Sequence, residues 1–238
     1  MNVNHINFEV IISFHDEYEY FEDVLIQAVS IFGSRNIRVS VDNSEDDFYC
    51  LILEKCACLC IEKIHRFEYG NFTDVLNAMI RNSNAEYLVR VDGDDILLPE
   101  RKNMLKKMAD GGFDFGMSDA ILLYQEKDIL TYKLRVFRCF PVFGTLKFGY
   151  NPIIHPSVIV KREIMLKFPY LHAERYEDLE TFRQFPTRLK ILNFHAPTLI
   201  YRTRSSKGLK GKGLEFKYGS VFFERFMKFL FYPKIISK

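Results

Sequence analysis

Asp92, Asp94 and Asp95 stand within four residues of one another in the run EYLVRVDGDDILLPERK, residues 86–102. Three carboxylates this close repel one another, and a turn needs only one of them. Their hard oxygens suit Mg²⁺ or Mn²⁺, which take one or two protein carboxylates while substrate phosphates and water complete the shell. Acidic groups also close two other apolar runs, SFHDE (13–17) and VDNSEDD (41–47). A further pair, Glu177 and Asp178, lies in YEDLETFR (176–183). Acidic residues gathered at several strand ends suit a ligand that brings cations or many hydroxyls.

Other chemistries for VDGDD fail on spacing. A phosphatase of the haloacid dehalogenase type needs an aspartate nucleophile two residues before Asp92, where Arg90 stands. An EF-hand loop needs Gly at its sixth position and a distal Glu, and neither falls in place. The plain alternative is an acidic turn that caps the helix starting at Pro99, and a short motif alone leaves that open. Glu177 and Asp178 have a plain alternative too, as helix N-terminal carboxylates that complement the dipole.

The elements that must position these residues follow from periodicity. FEVIISF (8–14), IRVSVD (37–42) and YLVRV (87–91) are apolar, β-branched runs of the kind buried on both faces of a parallel sheet. Between them Phe21, Val24, Leu25, Ala28, Ile31 and Phe32 recur at helical spacing, as do Phe72, Val75, Leu76 and Ile80. A short helix is expected near residues 46–54. Pro99 takes the favoured first position of another. The alternation predicts an α/β fold, a Rossmann-related, mostly parallel sheet with helices on both faces. After DGGFD (110–114) a hairpin is expected, residues 115–124 and 129–134 across QEKD. In such sheets ligands bind outside the carboxyl ends of the strands.

Four cysteines cluster at positions 50, 56, 58 and 60. Read as a strand, CACLC places Cys56, Cys58 and Cys60 on one face beside Ile61 and Ile64, as buried thiols or as a zinc site. An odd total of five and no export signal argue against disulfides.

At 238 residues, 48% hydrophobic and 27% charged, the chain suits one folded domain and not a disordered segment. Its charge is uneven. Residues 201–238 hold ten Lys/Arg against two Asp/Glu, a net +8, which leaves −6 on residues 1–200. The opening MNVNHINFEVIISF lacks a basic n-region, and no apolar stretch reaches the length of a membrane span. A cytoplasmic protein, peripheral on the inner face of the membrane, is expected. The tail supports that expectation, because VFFERFMKFLFYPKIISK interleaves phenylalanine with Lys and Arg as an interfacial helix on anionic lipid does. A terminal helix docked on the core is the alternative.

The ordered motifs, more than any single one, resemble the family 2 glycosyltransferases, nucleotide-sugar-dependent inverting enzymes of the GT-A fold. VIISFHDEYEYFEDVLIQAVSIF resembles their first strand and helix, and IRVSVDNSEDD their second strand with its aspartate. GNFTDVLNAMIRNSNAEYLVRVDGDDILLPER resembles the segment with the metal-binding D-x-D. HPSVIVKREIM, RYEDLETFRQF and APTLIYRTRSS follow in the family's order, so that residues 8–206 are spanned.

The resemblance implies a domain over 1–206, its nucleotide-sugar half about 1–115 and its acceptor half about 116–206, with a tail at 207–238. It implies that Asp42 receives the nucleobase, a UDP- or dTDP-sugar being favoured because a carboxylate accepts the imide N–H of uracil or thymine. His15 stands where the family often has Tyr. With Ser13, Glu17, Asp92, Arg202 and Arg204 it makes up the implied donor-binding set. Asp94, with Asp92, would hold Mn²⁺ or Mg²⁺. Asp178 would be the catalytic base, with Glu177 beside it. The chain departs from the family at Leu76, where Arg often precedes the asparagine matched by Asn77, so diphosphate contacts must come from elsewhere. In the basic stretch LIYRTRSSKGLKGKG (199–213), the resemblance implies a flap that closes on the donor; a solvated loop is the alternative. The implied partners are a nucleotide sugar, a glycan or lipid-linked glycan acceptor of bacterial surface polysaccharide synthesis, and an anionic membrane surface, with no nucleic acid. A catalytically lapsed scaffold would have no reason to keep such clustered charge. A sugar nucleotidylyltransferase would need a Gly-rich basic loop after the first strand, where SFHDEYEYFED is acidic and lacks glycine.

Overall fold

The computed structural model describes residues 5–42, 44–69, 71–126, 129–137, 153–172 and 177–203. Arg204, the tail at 207–238 and residues 138–152 of the implied acceptor half lie outside the described residues. The chain divides into two compact units. One comprises Met1–Leu122 with Arg135–Arg202, and the other contains Leu123–Leu134.

Four parallel strands open the first unit: β1 (Phe8–Phe14), β2 (Ile37–Asp42), β3 (Lys63–Phe67) and β4 (Tyr87–Asp92). They lie in the order β3-β2-β1-β4, so the chain winds outward from β1 and then returns to its other side. The crossovers are α1 (Phe21–Phe32), α2 (Asp46–Cys58) and α3 (Phe72–Asn82). Beyond β4 the sheet continues through β8 (Ile159–Lys161), β6 (Phe115–Glu126), β9 (Ile191–Thr203) and the two-residue β5 (Ile96–Leu97). There β4 pairs with β8, β6 with β8 and β5 with β9, all antiparallel. The parallel character read from the sequence therefore belongs to the first half, and the sheet as a whole is mixed. β7 (Ile129–Phe137) pairs with β6 as the expected hairpin.

Helices cover both faces because the strands alternate what they bury. Val10, Ile12, Phe14, Val89 and Val91 join Phe21, Leu25, Phe48, Ile52 and the Met104–Met108 face of α4 (Glu100–Gly111). On the opposite face Ile11 and Leu88 meet Val75, Met79 and Ile80 of α3, Met165 of α5 (Arg162–Lys167), and Leu179 and Phe182 of α6 (Glu177–Arg183). Pro99 caps α4, and Glu100 is its first helical residue.

The cysteine strand is a correction. Residues 46–58 are one helix, α2, and the following strand does not begin until Lys63. Cys50, Cys56 and Cys58 lie on that helix, and Cys60 lies beyond its end. Cys56 is buried among the α2 core residues, while Cys50, Cys58 and Cys60 are exposed. Neither a shared buried face nor a zinc site forms from them. Apolar alternation over five small residues does not separate strand from helix, and the run Phe48, Ile52, Cys56 at four-residue spacing was the stronger signal. Burial pushes the Cys56 thiol up to about 12, so it is an inert core group.

Candidate active site

The sheet reverses its winding between β1 and β4, and in open α/β sheets that switch point is where a crevice opens at the carboxyl ends. Register places Ser13 directly opposite Asp92 on one side and Ser40 on the other. Asp42 lies two residues beyond Ser40, at the same end. A cleft of about 250 Å³ opens there, lined by Ser13, Phe14, His15, Glu17, Asp42, Phe72 and Val75.

Polar contacts hold the cleft in shape. Ser40 Oγ donates to Ser13 Oγ at 2.9 Å. His15 Nδ1 lies 2.6 Å from the Asp42 carbonyl oxygen, which can only accept, so Nδ1 carries a proton. Glu17 accepts the His15 backbone N–H at 2.6 Å and that of Asp16 at 3.2 Å, which pins the loop. The Asp42 carboxylate accepts the Tyr69 backbone N–H at 3.2 Å. Burial raises the Asp42 pKa, with Tyr69 and His15 opposing and Asp74 adding to it. Phe72 is 41% exposed and offers a flat apolar wall. Leu76, where the resembled family often has Arg, is fully buried in the core.

Behind the cleft lies the acidic motif. Gly93 permits its tight path: a Cβ there would sit 2.6 Å from Phe14 Cδ1 and 3.0 Å from the Ser13 carbonyl oxygen. Gly93→Ala is expected to cost about 1–3 kcal/mol of stability, the usual range for overpacking. Chemical denaturation checks this, and an unchanged midpoint would mean that the loop has room to give.

Asp95 turns inward. It is 2% exposed, its Oδ1 receives the Arg202 backbone N–H at 3.4 Å, and its Oδ2 has no hydrogen-bond partner among the described residues. Burial first, then Asp92 and Asp94, raise its pKa well above the aspartate range. β5 pairs with β9 in the register Ile96 to Ile200, which brings Tyr201 and Arg202 alongside the motif. Burial and then the fields of Asp92, Asp95, Asp94 and Asp178 hold the proton on the Tyr201 hydroxyl. One ring therefore senses both the motif and Asp178, two carboxylate groups more than 80 residues apart in sequence. The Arg202 guanidinium stacks 4.5 Å from the Tyr20 ring centroid, and the Tyr20 hydroxyl in turn feels Asp94. Asp178 is half-buried in the first turn of α6, its Oδ1 accepting the Leu179 N–H at 2.8 Å. Glu177 opens that helix, and its side chain lies outside the described part.

Two arginines of this region escaped the sequence reading as site residues. Arg90 and Arg101 are 2% and 0% exposed. Arg101 donates to the carbonyls of Arg90 (2.9 Å), Pro156 (2.9 Å) and Val158 (2.7 Å), to that of Ser157, and to Thr198 Oγ1 at 3.1 Å. It thereby ties β4 and β9 to the turn before β8. Burial, aided by Arg90 and opposed by Asp95, lowers it to about 9, still charged at neutral pH. Arg90 ion-pairs with Asp92. An arginine inside the apolar run YLVRV was the available signal, since a buried charge demands a partner.

Among the described residues no three Asp, Glu, His or Cys side chains converge as a ready metal cage. The donor set does fit a hard cation whose shell a substrate completes: carboxylates crowd at a strand end, and one buried oxygen, Asp95 Oδ2, has no hydrogen-bond partner among the described residues.

No family model and no curated protein matches the chain. Solved structures do. TarS residues 1–349 of S. aureus superposes with TM-score 0.55 at 16% identity, over 83% of this chain and 60% of that one. The mannosyltransferase PcManGT of Pyrobaculum calidifontis, in complex with GDP-Man and Mn²⁺, gives 0.59 at 15% identity, over 85% and 58%. Glucosyl-3-phosphoglycerate synthase of Mycobacterium tuberculosis, with Mn²⁺, UDP and glucosyl-3-phosphoglycerate, gives 0.60 at 13%, over 85% and 74%. The chain thus spans under two thirds of the length of the first two.

Proposed function

We propose that this chain, whose fold is that of the GT-A glycosyltransferases, transfers a sugar from a nucleoside diphosphate donor to a hydroxyl of a glycan or lipid-linked glycan, inverting the anomeric centre. The observation that carries the proposal is the joining of a base-sized cleft at Asp42 to the Asp92–Asp95 carboxylates across the β1/β4 switch point, where Ser13 of the cleft pairs in register with Asp92. The solved relatives that hold Mn²⁺ with GDP-Man or UDP in this fold support it.

In this reading the nucleobase packs against Phe72 and the His15 ring, and Asp42 accepts an imide N–H. That favours uracil or thymine. Ser13, Glu17 and Asp92 frame the ribose and diphosphate, and Arg202, with Arg204, supplies cations toward the phosphates in place of the arginine missing at Leu76. Asp94, with Asp92 at hand, would hold Mn²⁺ or Mg²⁺, which offsets charge on the departing diphosphate. Asp178 takes the acceptor proton as the sugar leaves, Glu177 standing next to it, and one base suffices for a single displacement. The basic aromatic tail would keep the enzyme on an anionic membrane, as surface polysaccharide assembly on lipid-linked acceptors requires. No helix among the described residues is long and apolar enough to cross one.

A thermal-shift screen of nucleotide sugars with and without Mn²⁺ tests the donor, since a ligand that binds only the folded state raises its stability. A uridine or thymidine nucleotide is expected to raise Tm, and more so with metal. A panel in which none does so would refute the reading.

Uridine alone isolates the base site from metal and phosphate. Its affinity should hold steady at neutral pH and fall as acid protonates Asp42. Because burial raises that pKa, the fall begins above the ordinary aspartate value of about 3.9. Asp42→Asn should weaken uridine about ten-fold or more, the loss of one charge-assisted hydrogen bond, and flatten the profile. NMR titration reads both; an unchanged affinity removes Asp42 from the base site.

A further inference from the structure

Arg90 has no part in the scheme above, yet it lies under the centre of it. Its side chain is 2% exposed. Nη2 ion-pairs with Asp92 Oδ1 and Nη1 donates to the Val91 carbonyl. The Arg90 Cζ stands 5.2 Å from the centroid of the Phe72 ring, which walls the cleft. Nε has no hydrogen-bond partner among the described residues. So buried a cation cannot swing away to solvent. Its charge therefore belongs permanently to the floor of the site, and Asp92, itself partly open at 25%, is the carboxylate it touches.

We propose that Arg90 is a positioning residue that holds Asp92 as a neutral ion pair, and so divides the labour of the acidic motif: Asp92 accepts hydrogen bonds from the donor, while Asp94 is the principal anchor of the metal. The inference rests on the metal site of the proposed function and deepens it. A carboxylate already bound to a guanidinium keeps lone pairs for a hydroxyl, but offers a divalent ion little net attraction. Coulomb interaction falls only inversely with distance, so the same buried cation also repels a metal at the neighbouring Asp94. The free protein would then bind metal weakly, and the diphosphate of the donor would have to bring the missing negative charge.

The probe is Mn²⁺ alone, titrated into the full chain without nucleotide and read as loss of free Mn²⁺ signal by electron paramagnetic resonance. Arg90→Met should tighten Mn²⁺ binding about ten-fold or more, because Asp92 loses its partner and the repulsion disappears. Arg90→Lys keeps the charge and should remain within about three-fold of the parent. Arg90→Met combined with Asp92→Asn removes the pair as a unit and should also stay within about three-fold. That double variant strands no buried charge, so it decides the matter even if Arg90→Met does not fold. Unchanged or weaker binding by folded Arg90→Met overturns the proposal. So does tightening in Arg90→Lys equal to that in Met, or a loss in the double variant as deep as in Asp94→Ala, which would make Asp92 a metal ligand. If Asp94→Ala itself binds Mn²⁺ like the parent, the metal site falls and the division of labour with it. If Asp94→Ala loses Mn²⁺ but the Arg90 variants go against expectation, only the role of Arg90 is refuted.

Discussion

Replacing Asp178 by Asn is expected to lower sugar transfer by roughly 10²–10⁴-fold, the contribution of a positioned general base, while leaving donor binding intact. Asn keeps the size of the side chain and its carbonyl can still accept the Leu179 N–H, so the first turn of α6 should persist. What disappears is the basic lone pair. Asp178 is half-buried and its charge acts on the Tyr201 hydroxyl together with those of Asp92, Asp94 and Asp95, as the proposed role of base requires. The effect should therefore fall on kcat, with the KM for donor little changed. Near-normal turnover in a folded, donor-bound variant would move the base to Glu177 or Glu180. Loss of the fold, seen by circular dichroism, would make Asp178 a helix-terminal carboxylate and nothing more.

Asp94→Ala should behave differently. It is expected to abolish the response of the enzyme to Mn²⁺, to weaken nucleoside diphosphate binding, and to reduce turnover by about 10³-fold, the several kcal/mol that a metal supplies as a Lewis acid. Both binding and chemistry suffer because the ion bridges protein and diphosphate. Donor titrations with and without chelator, run beside turnover, separate this variant from Asp178→Asn. Equal donor affinity for parent and Asp94→Ala would contradict the assignment.

Much of this was legible in the chain because the first half of the sheet is made of local, strongly patterned units. IRVSVD and YLVRVD end in Asp42 and Asp92, FEVIISF carries Ser13 just before its last residue, and the winding of the sheet brings all three to one crevice, so periodicity suffices to find them. The second half was less legible. β8 is three residues long and β5 only two, too short for a period to show, and their antiparallel partners lie many residues away. CACLC was misread because so short a run does not separate strand from helix, whereas Phe48, Ile52 and Cys56 bury themselves as a helix does. Tyr201 could not be singled out from sequence, since its place depends on the register of β5 against β9. Arg90 carried a signal that the reading turned to another use, the exclusion of a phosphatase. A charge inside a buried strand asks for its counter-ion, and the carboxylate two residues on supplies it.

The most direct test follows the sugar. The donor selected by thermal shift is incubated with the full chain and Mn²⁺, and the anomeric proton of the sugar released to acceptor or water is followed by ¹H NMR before mutarotation sets in. A single displacement of the diphosphate by the acceptor or water oxygen, with Asp178 taking its proton, predicts that the anomer opposite to that of the donor appears first, and that chelator stops the release. Release with the donor's own configuration, or release undiminished by chelator, would contradict the account.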